Sequence, residues 1–425
     1  MRVIVKRVAM LSVHTGPLDT LGGKETGGMN VYVRELTRAF GKRGLATDVF
    51  TRSQDPGVPR IRPLGEHGRV IHLPAGPERP YDKNAVYNHL PEFVDGILAL
   101  AAQEGTRYDI LHGHYWLSGL AARALRAAWG LPIVQMFHTL GELKNRVAQT
   151  PGEMESAFRI ARERDIMAFA DRLVAATTLE RDQMQTLYGA DPAKISVVPP
   201  GVNLDHFRPI PCAEARSHIG VPPDRQMVLF VGRIQPIKGI DTLLQAIALL
   251  LQRYPELRQR LCLCIIGGDA GNTASHEESE LARLEALREQ LGTSDSVAFL
   301  GSKDQDTLAY YYSAATVVVI PSHYESFGMV ALEAMACGAP IIASDVGGLS
   351  FSVADGFSGY VVPDRDPEAL AYKIKLVLDN DSLRRQLSEQ AKRWVERYSW
   401  VNIAEEILVV YAKALAGATE WSVTR

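Results

Sequence analysis

The sequence predicts an α/β protein of two doubly wound parallel-sheet domains facing a central cleft. Three observations carry this expectation. Short Val- and Ile-rich apolar runs alternate with longer stretches of helical period, the alternation runs twice, and a proline-rich segment separates the two passes. A chain of 425 residues, 46% hydrophobic and 22% charged, is long enough to bury two cores.

In the first pass, residues 8–13, 47–50, 110–112, 133–137 and 173–176 read as strands buried on both faces. Residues 30–43 read as a helix that carries Val33, Leu36 and Phe40 on one face and is stopped by Gly44. Residues 199–211 hold four prolines, which exclude regular helix or a central strand and mark the boundary. In the second pass the strands are 227–231, 261–266, 297–300, 317–320 and 341–343, and three helical segments follow, ending in a helix over 400–416. The expected division is a first domain over 1–203, a second over 204–400, and a terminal helix over 401–425 that packs back on the first.

Composition narrows the function. With 46 Lys and Arg against 49 Asp and Glu, the formal charge of -3 is no footprint for nucleic-acid binding. Residues 1–200 hold 25 basic against 21 acidic side chains, and the remainder 21 against 28, so the first half is the better host for an anion. The cysteines, Cys212, Cys262, Cys264 and Cys337, form no CxxC pair, and no residues recur at metal-ligand spacing. No apolar run reaches the roughly 18 residues of a membrane span, so a cytoplasmic protein without membrane association is expected.

Doubly wound folds bind ligands at the carboxyl ends of their strands, so the chemistry belongs in strand-to-helix loops. After residues 317–320 comes His323-Tyr-Glu325-Ser-Phe327-Gly328-Met329-Val330-Ala-Leu-Glu333. A helix opening near Gly328 would present the N–H groups of Phe327, Gly328, Met329 and Val330 to an anion, with Glu325 in the loop and Glu333 inside a largely apolar helix. A carboxylate buried there needs partners. After residues 227–231, Val-Gly-Arg233 and Lys238-Gly239 can converge on a diphosphate. Between the first strand and helix, Gly22-Gly-Lys-Glu-Thr-Gly27-Gly28-Met29-Asn30 allows close backbone approach to a phosphate or sugar but is not GxGxxG. His112, His114 and Tyr115, and then His138 and Thr139, follow strands of the first domain.

These motifs together resemble the retaining family-4 glycosyltransferases of the GT-B fold, built from two Rossmann-like domains. His-Gly-His-Tyr-Trp-Leu-Ser-Gly, Phe-His-Thr-Leu and Gly-Gly-Met-Asn resemble, within that family, the D-inositol-3-phosphate glycosyltransferases, with sucrose-phosphate synthases close by. The resemblance implies a UDP-sugar donor held by the second domain, with Arg233 and Lys238 on its phosphates, Glu333 on the ribose and Glu325 on the donor sugar. Gly28, Lys303 and residues 327–330 would complete that set, Lys303 standing where relatives carry an Arg near the uracil. His138 would lie near the reacting face, so the implied catalytic set is His138, Glu325, Arg233 and Lys238. Asn30, Lys83, Tyr115, Thr139 and Arg159 would hold the acceptor and its phosphate.

The expected activity is retaining transfer from UDP-glucose or UDP-N-acetylglucosamine to a phosphorylated small acceptor, 1D-myo-inositol 3-phosphate by closest resemblance. Alternatives are sucrose-phosphate synthesis from fructose 6-phosphate, a phosphatidylinositol-type lipid acceptor with Arg123 and Arg126 on the bilayer, or a UDP-sugar-binding regulator without activity. No cofactor or metal is expected, although the resemblance leaves Mg2+ open, and relatives that dimerise allow a homodimer.

Overall fold

A computed structural model describes residues 5–19, 27–148, 151–268 and 276–423, with backbone only for 276–279 and 418–423. The chain divides into two compact units, one running up to Pro200 and resuming at Trp400, the other spanning Gly201–Ser399.

The first unit contains β1 (Arg7–Leu11), α1 (Gly28–Gly41), β2 (Ala46–Arg52), β3 (Ile61–Pro63), β4 (Gly68–Leu73), α2 (Leu90–Glu104), β5 (Ile110–His114) and α3 (Trp116–Trp129). It continues through β6 (Ile133–Met136), α4 (Gly141–Val147), α5 (Ala157–Phe169), β7 (Arg172–Ala175), α6 (Thr178–Tyr188) and β8 (Ile195–Val197). Its sheet runs β3-β4-β2-β1-β5-β6-β7-β8, parallel except for β3 on β4. Val8–Leu11 are fully buried, as strands covered on both faces must be. The order reverses direction between β1 and β5, which makes the ends of those strands the switch point where such sheets take ligands.

The second unit contains α7 (Cys212–Ile219), β9 (Gln226–Val231), α8 (Ile240–Arg253), β10 (Leu261–Ile266), α9 (His276–Gln290), β11 (Val297–Phe299), α10 (Gln305–Ala314) and β12 (Val317–Ile320). Then come α11 (Met329–Ala336), β13 (Ile341–Ser344), α12 (Leu349–Ser352), β14 (Gly359–Val362), α13 (Pro367–Asp379) and α14 (Asp381–Val395). All six strands are parallel, in the order β11-β10-β9-β12-β13-β14, with the switch point between β9 and β12. Leu243, Leu244, Ile247, Ile374 and Val377 of α8 and α13 join Val228, Leu263 and Val319 in one core.

The last helix, α15 (Trp400–Val423), belongs to the first unit. Trp400 packs edge-on against Tyr32, Tyr411 meets Phe40, and the Tyr411 hydroxyl bonds His112 Nδ1 at 2.8 Å. The ten strands read from the sequence are all present, and β3, β4, β8 and β14 are additions. Among the described residues no helix is long and apolar enough to cross a membrane.

Candidate functional site

In the second unit the two expected loops leave the ends of β9 and β12, adjacent strands at the switch point. Gly239 has φ +62°, and a Cβ there would stand 2.0 Å from the Pro321 carbonyl oxygen, so only glycine lets the loop after β9 lie on the loop after β12. That approach places Lys238 Nζ 2.5 Å from Glu325 Oε2, with the two side chains 17% and 20% exposed. The Glu325 backbone is fixed from the other side. Its carbonyl accepts from Gly348 N at 2.8 Å, and a Cβ on Gly347 would meet the same oxygen at 2.1 Å.

Gly328 caps α11 in the left-handed region at φ +90°. The first N–H groups of the helix, on Met329 and Val330, therefore have no intrahelical acceptor. Phe327 is buried, its ring edge-on to Tyr398, so only its backbone is left to face a ligand. Glu333 is buried on α11, and the Tyr312 hydroxyl donates to its Oε2 at 3.0 Å. Burial and that carboxylate raise the Tyr312 phenol well above its ordinary value, so it stays a donor. Arg233 and Lys303 are both half-buried, Arg233 just beyond β9 and Lys303 just before the Asp304 cap of α10.

In the first unit the site residues gather at the ends of β5 and β6. Tyr115 and His138 follow these strands with φ of 75° and 62°, a conformation that non-glycine residues hold only under surrounding constraint. His138 Nε2 and His114 Nδ1 share a hydrogen bond of 2.9 Å, and the His112 and His114 rings lie 4.2 Å apart. Burial holds His112 and His138 down at about 3, and His114 well below its usual value, so all three rings are neutral at pH 7. His14, its ring tilted against Tyr115 with centroids 4.4 Å apart, is lowered to about 3 by burial and by the nearby Lys83 and Arg159. Among the described residues no group of three His, Cys, Asp or Glu side chains is arranged to hold a metal ion.

Lys83, Tyr115, Thr139 and Arg159, far apart in sequence, come together here. Arg159 is 1% exposed, donates from Nη2 to the Thr139 carbonyl at 2.8 Å and to Thr139 Oγ1 at 3.2 Å, and lies 4.7 Å over the Tyr115 ring. Two carboxylates that the sequence reading passed over complete the cluster. Arg159 Nε bonds Glu163 Oε1 at 2.7 Å, and Arg159 Nη1 stands 2.8 Å from Glu155 Oε1. Lys83 Nζ is 3.8 Å from the same Glu155 oxygen, and Lys144 Nζ also bonds it. Burial opposes the charge on Glu155, yet Arg159, Lys83 and Lys144 together hold its carboxyl at about 2. The Arg159-x3-Glu163 spacing is the signal that would have found Glu163, since i,i+4 neighbours meet on a helix, whereas Glu155 stands ahead of the Ser156 cap of α5.

One expectation needs correction. Asn30, read as an acceptor contact, is 1% exposed, and both ends of its amide are taken by the chain: Nδ2 donates to Thr15 Oγ1 at 2.7 Å and to the Gly16 carbonyl at 2.6 Å, while Oδ1 accepts from Gly27 N at 2.9 Å. It ties the loop after β1 to the start of α1 and presents no free polar atom to a substrate. Gly28 is the first residue of α1, and the Gly22–Thr26 part of its motif lies outside the described residues. On α3, Leu125 is buried and Arg126 bonds the Phe169 carbonyl and Asp171, so both are engaged within the first unit, while Arg123 is exposed.

Residues 26–206 match the family model described as Glycosyltransferase Family 4, and residues 213–394 match Glycosyl transferases group 1. A D-inositol 3-phosphate glycosyltransferase of Acidothermus cellulolyticus is 43% identical over 97% of this chain and 91% of that protein. Among solved structures, a sucrose-phosphate synthase from Thermosynechococcus elongatus superposes with TM-score 0.88 at 34% identity, covering 97% of this chain and 100% of its own. HepE of Anabaena in complex with UDP-glucose shares the fold, with TM-score 0.72 at 18% identity over 95% and 98% of the two chains.

Proposed function

We propose, because this chain belongs to the GT-B glycosyltransferase family that contains the D-inositol 3-phosphate glycosyltransferases, that it moves a glycosyl group from a UDP-sugar to 1D-myo-inositol 3-phosphate with retention of configuration. The single observation that carries the acceptor half of this reading is the convergence of Lys83, Lys144 and Arg159 on one buried point beside Tyr115 and Thr139. Three cations gathered in a partly desolvated pocket recognise a phosphate monoester by charge-assisted hydrogen bonds that orient as well as bind.

In the donor unit, Lys238, Arg233 and the N-terminus of α11 lie on the loops and helix that begin at one switch point. Their proposed task is to stabilise the charge that develops on the departing diphosphate, the largest electrostatic demand of glycosyl transfer. Glu333, held by Tyr312, is assigned the ribose, and Glu325 the donor sugar. Retention without an enzyme nucleophile follows from attack by the acceptor hydroxyl on the face that UDP leaves, so the protein supplies positioning and charge and no covalent intermediate. His138, neutral at pH 7, is assigned a hydrogen bond to the reacting sugar, and is not a source of positive charge.

The sucrose-phosphate synthase likeness supports a second acceptor, fructose 6-phosphate, which the same cation cluster would hold by its phosphate. A matrix of UDP-glucose and UDP-N-acetylglucosamine against 1D-myo-inositol 3-phosphate and fructose 6-phosphate, read by UDP release, product mass and anomeric configuration, decides between them. Turnover with inositol phosphate is the expected result. Turnover with fructose 6-phosphate alone, or inversion at the anomeric carbon, overturns the reading.

A further inference from the structure

The two carboxylates of the first unit's cation cluster are held in different ways. Glu163 is locked from three sides: Arg159 Nε bonds its Oε1, while Gly141 N at 2.9 Å and the Tyr188 hydroxyl at 2.6 Å donate to its Oε2. A group so fixed is part of the scaffold. The Glu155 side chain, by contrast, is held among the described residues by cations alone, with Lys83, Lys144 and Arg159 all directed at Oε1. Those cations come from three stretches of chain: Lys83 ahead of the turn Ala85–His89, Lys144 on α4 and Arg159 on α5. Asn145 clasps the Glu155 backbone through two hydrogen bonds, from Glu155 N to Oδ1 at 2.6 Å and from Nδ2 to the Glu155 carbonyl at 3.1 Å, so the carboxylate can leave without releasing the chain.

We infer that Glu155 is an internal stand-in for the acceptor's phosphate: the phosphate monoester exchanges for its carboxylate on Lys83, Lys144 and Arg159, and Lys144 is a further anion contact. This rests on the reading that the first unit binds a phosphorylated acceptor. The stand-in gives the buried Arg159 and the half-buried Lys83 and Lys144 a shared counter-charge until substrate arrives, which offsets the cost of gathering like charges in a partly desolvated place. It also sets a threshold for entry. A phosphate dianion brings more charge and one more acceptor oxygen than a carboxylate, and so displaces Glu155 where a carboxylate or an uncharged sugar does not. Glu155 is thereby a specificity-determining residue that need not touch the bound acceptor.

The test uses the full chain with inorganic phosphate as the probe, followed by calorimetric titration and by thermal unfolding, beside steady-state kinetics with 1D-myo-inositol 3-phosphate. Glu155→Gln is expected to unfold at lower temperature without phosphate, to bind phosphate about tenfold tighter than the unsubstituted chain, and to gain more thermal stability from it. Its acceptor KM falls in step, while the donor KM stays within about twofold. Lys144→Gln should weaken phosphate binding about tenfold. A folded Glu155→Gln protein that binds phosphate no tighter than the unsubstituted chain overturns the exchange, and unchanged affinity in Lys144→Gln overturns the further contact. If Glu155→Gln does not fold even with phosphate, Glu155→Asp decides: its retracted carboxylate must yield tighter phosphate binding, and equal or weaker binding rejects the proposal. Because the probe is phosphate itself, tighter binding without transfer to any phosphorylated sugar or polyol would reject the proposed reaction while leaving the exchange intact.

Discussion

Replacing Lys238 by Met removes one charge from the donor unit and leaves the fold's apolar contacts in place. Lys238 Nζ lies 2.5 Å from Glu325 Oε2, in a position 17% exposed, so its charge is only partly screened. At an effective dielectric near 20, two unit charges about 4 Å apart interact by about 4 kcal/mol. If Lys238 faces the leaving diphosphate, as proposed, its loss is expected to cost about 2.7–4 kcal/mol of transition-state stabilisation. That corresponds to a fall in kcat of about 100- to 1,000-fold. The folded state loses a half-buried ion pair, about 1 kcal/mol once screening is allowed for, or about 2–4 °C of melting temperature in a unit of this size. The assay is UDP release at saturating donor and acceptor, with calorimetric melting on the same preparation. A folded Lys238→Met enzyme within about fivefold of the unsubstituted kcat would refute the role, because no charged donor facing the leaving group can be removed so cheaply.

Three further outcomes follow from the same geometry. Arg159→Lys keeps the charge but loses the fork that bridges Thr139, Glu163 and Glu155, and should raise the acceptor KM at least about tenfold with the donor KM within about twofold; equal changes in both constants would count against an acceptor role. Acid should unfold the first unit early: His14, His112 and His138 are each lowered to about 3 from 6.5, so the unfolded chain takes up protons first and stability falls as pH drops below about 6.5 toward 3. Glu155, lowered to about 2, adds a loss below about pH 4.5, whereas Glu180, raised by burial to about 7, works in the opposite sense between about 7 and 4.5 and offsets only one of the three histidines. A melting temperature that stays flat from pH 7 to 4 contradicts this balance. Tyr411→Phe leaves His112 Nδ1 without its partner in a fully buried site and should cost about 1–3 kcal/mol of stability, measured by denaturant unfolding; a change below about 0.5 kcal/mol means that the bond contributes nothing net.

The strands legible in the sequence are those covered on both faces, such as 261–266 and 317–320, where burial demands an unbroken apolar run. The additions carry weaker signals. β4 includes Arg69 and His72, with Arg69 bonded to Asp48 and Glu104, and β14 is a four-residue strand opening on Gly359. Glu333 was legible as a buried acid because its helix is apolar around it, but its partner Tyr312 lies 21 residues earlier on another helix, a distance that no local pattern encodes. Lys83 and Arg159 were reached only through family likeness. The acid that organises them, Glu155, stands in the polar stretch 151–156, and the Lys83 it meets is remote in sequence. Local period reports what a side chain buries against its own element, and ion clusters are assembled by the sheet.

The first unit closes only when the chain returns to it. Tyr32, Phe40 and His112 are covered by Trp400 and Tyr411 of α15, and residues 201–399 are synthesised in between. At translation rates of about 5–20 residues per second, the helical face that α15 covers waits about 10–40 s for its last layer. A nascent chain in that interval lacks the helix that covers Tyr32, Phe40 and His112, and exposed apolar surface of that kind favours aggregation. Ribosome-stalled chains ending before 400 should therefore be more sensitive to protease in residues 28–41 than released full-length protein. The order in which the ribosome delivers this fold thus links its survival in the cell to a helix that carries none of its proposed chemistry.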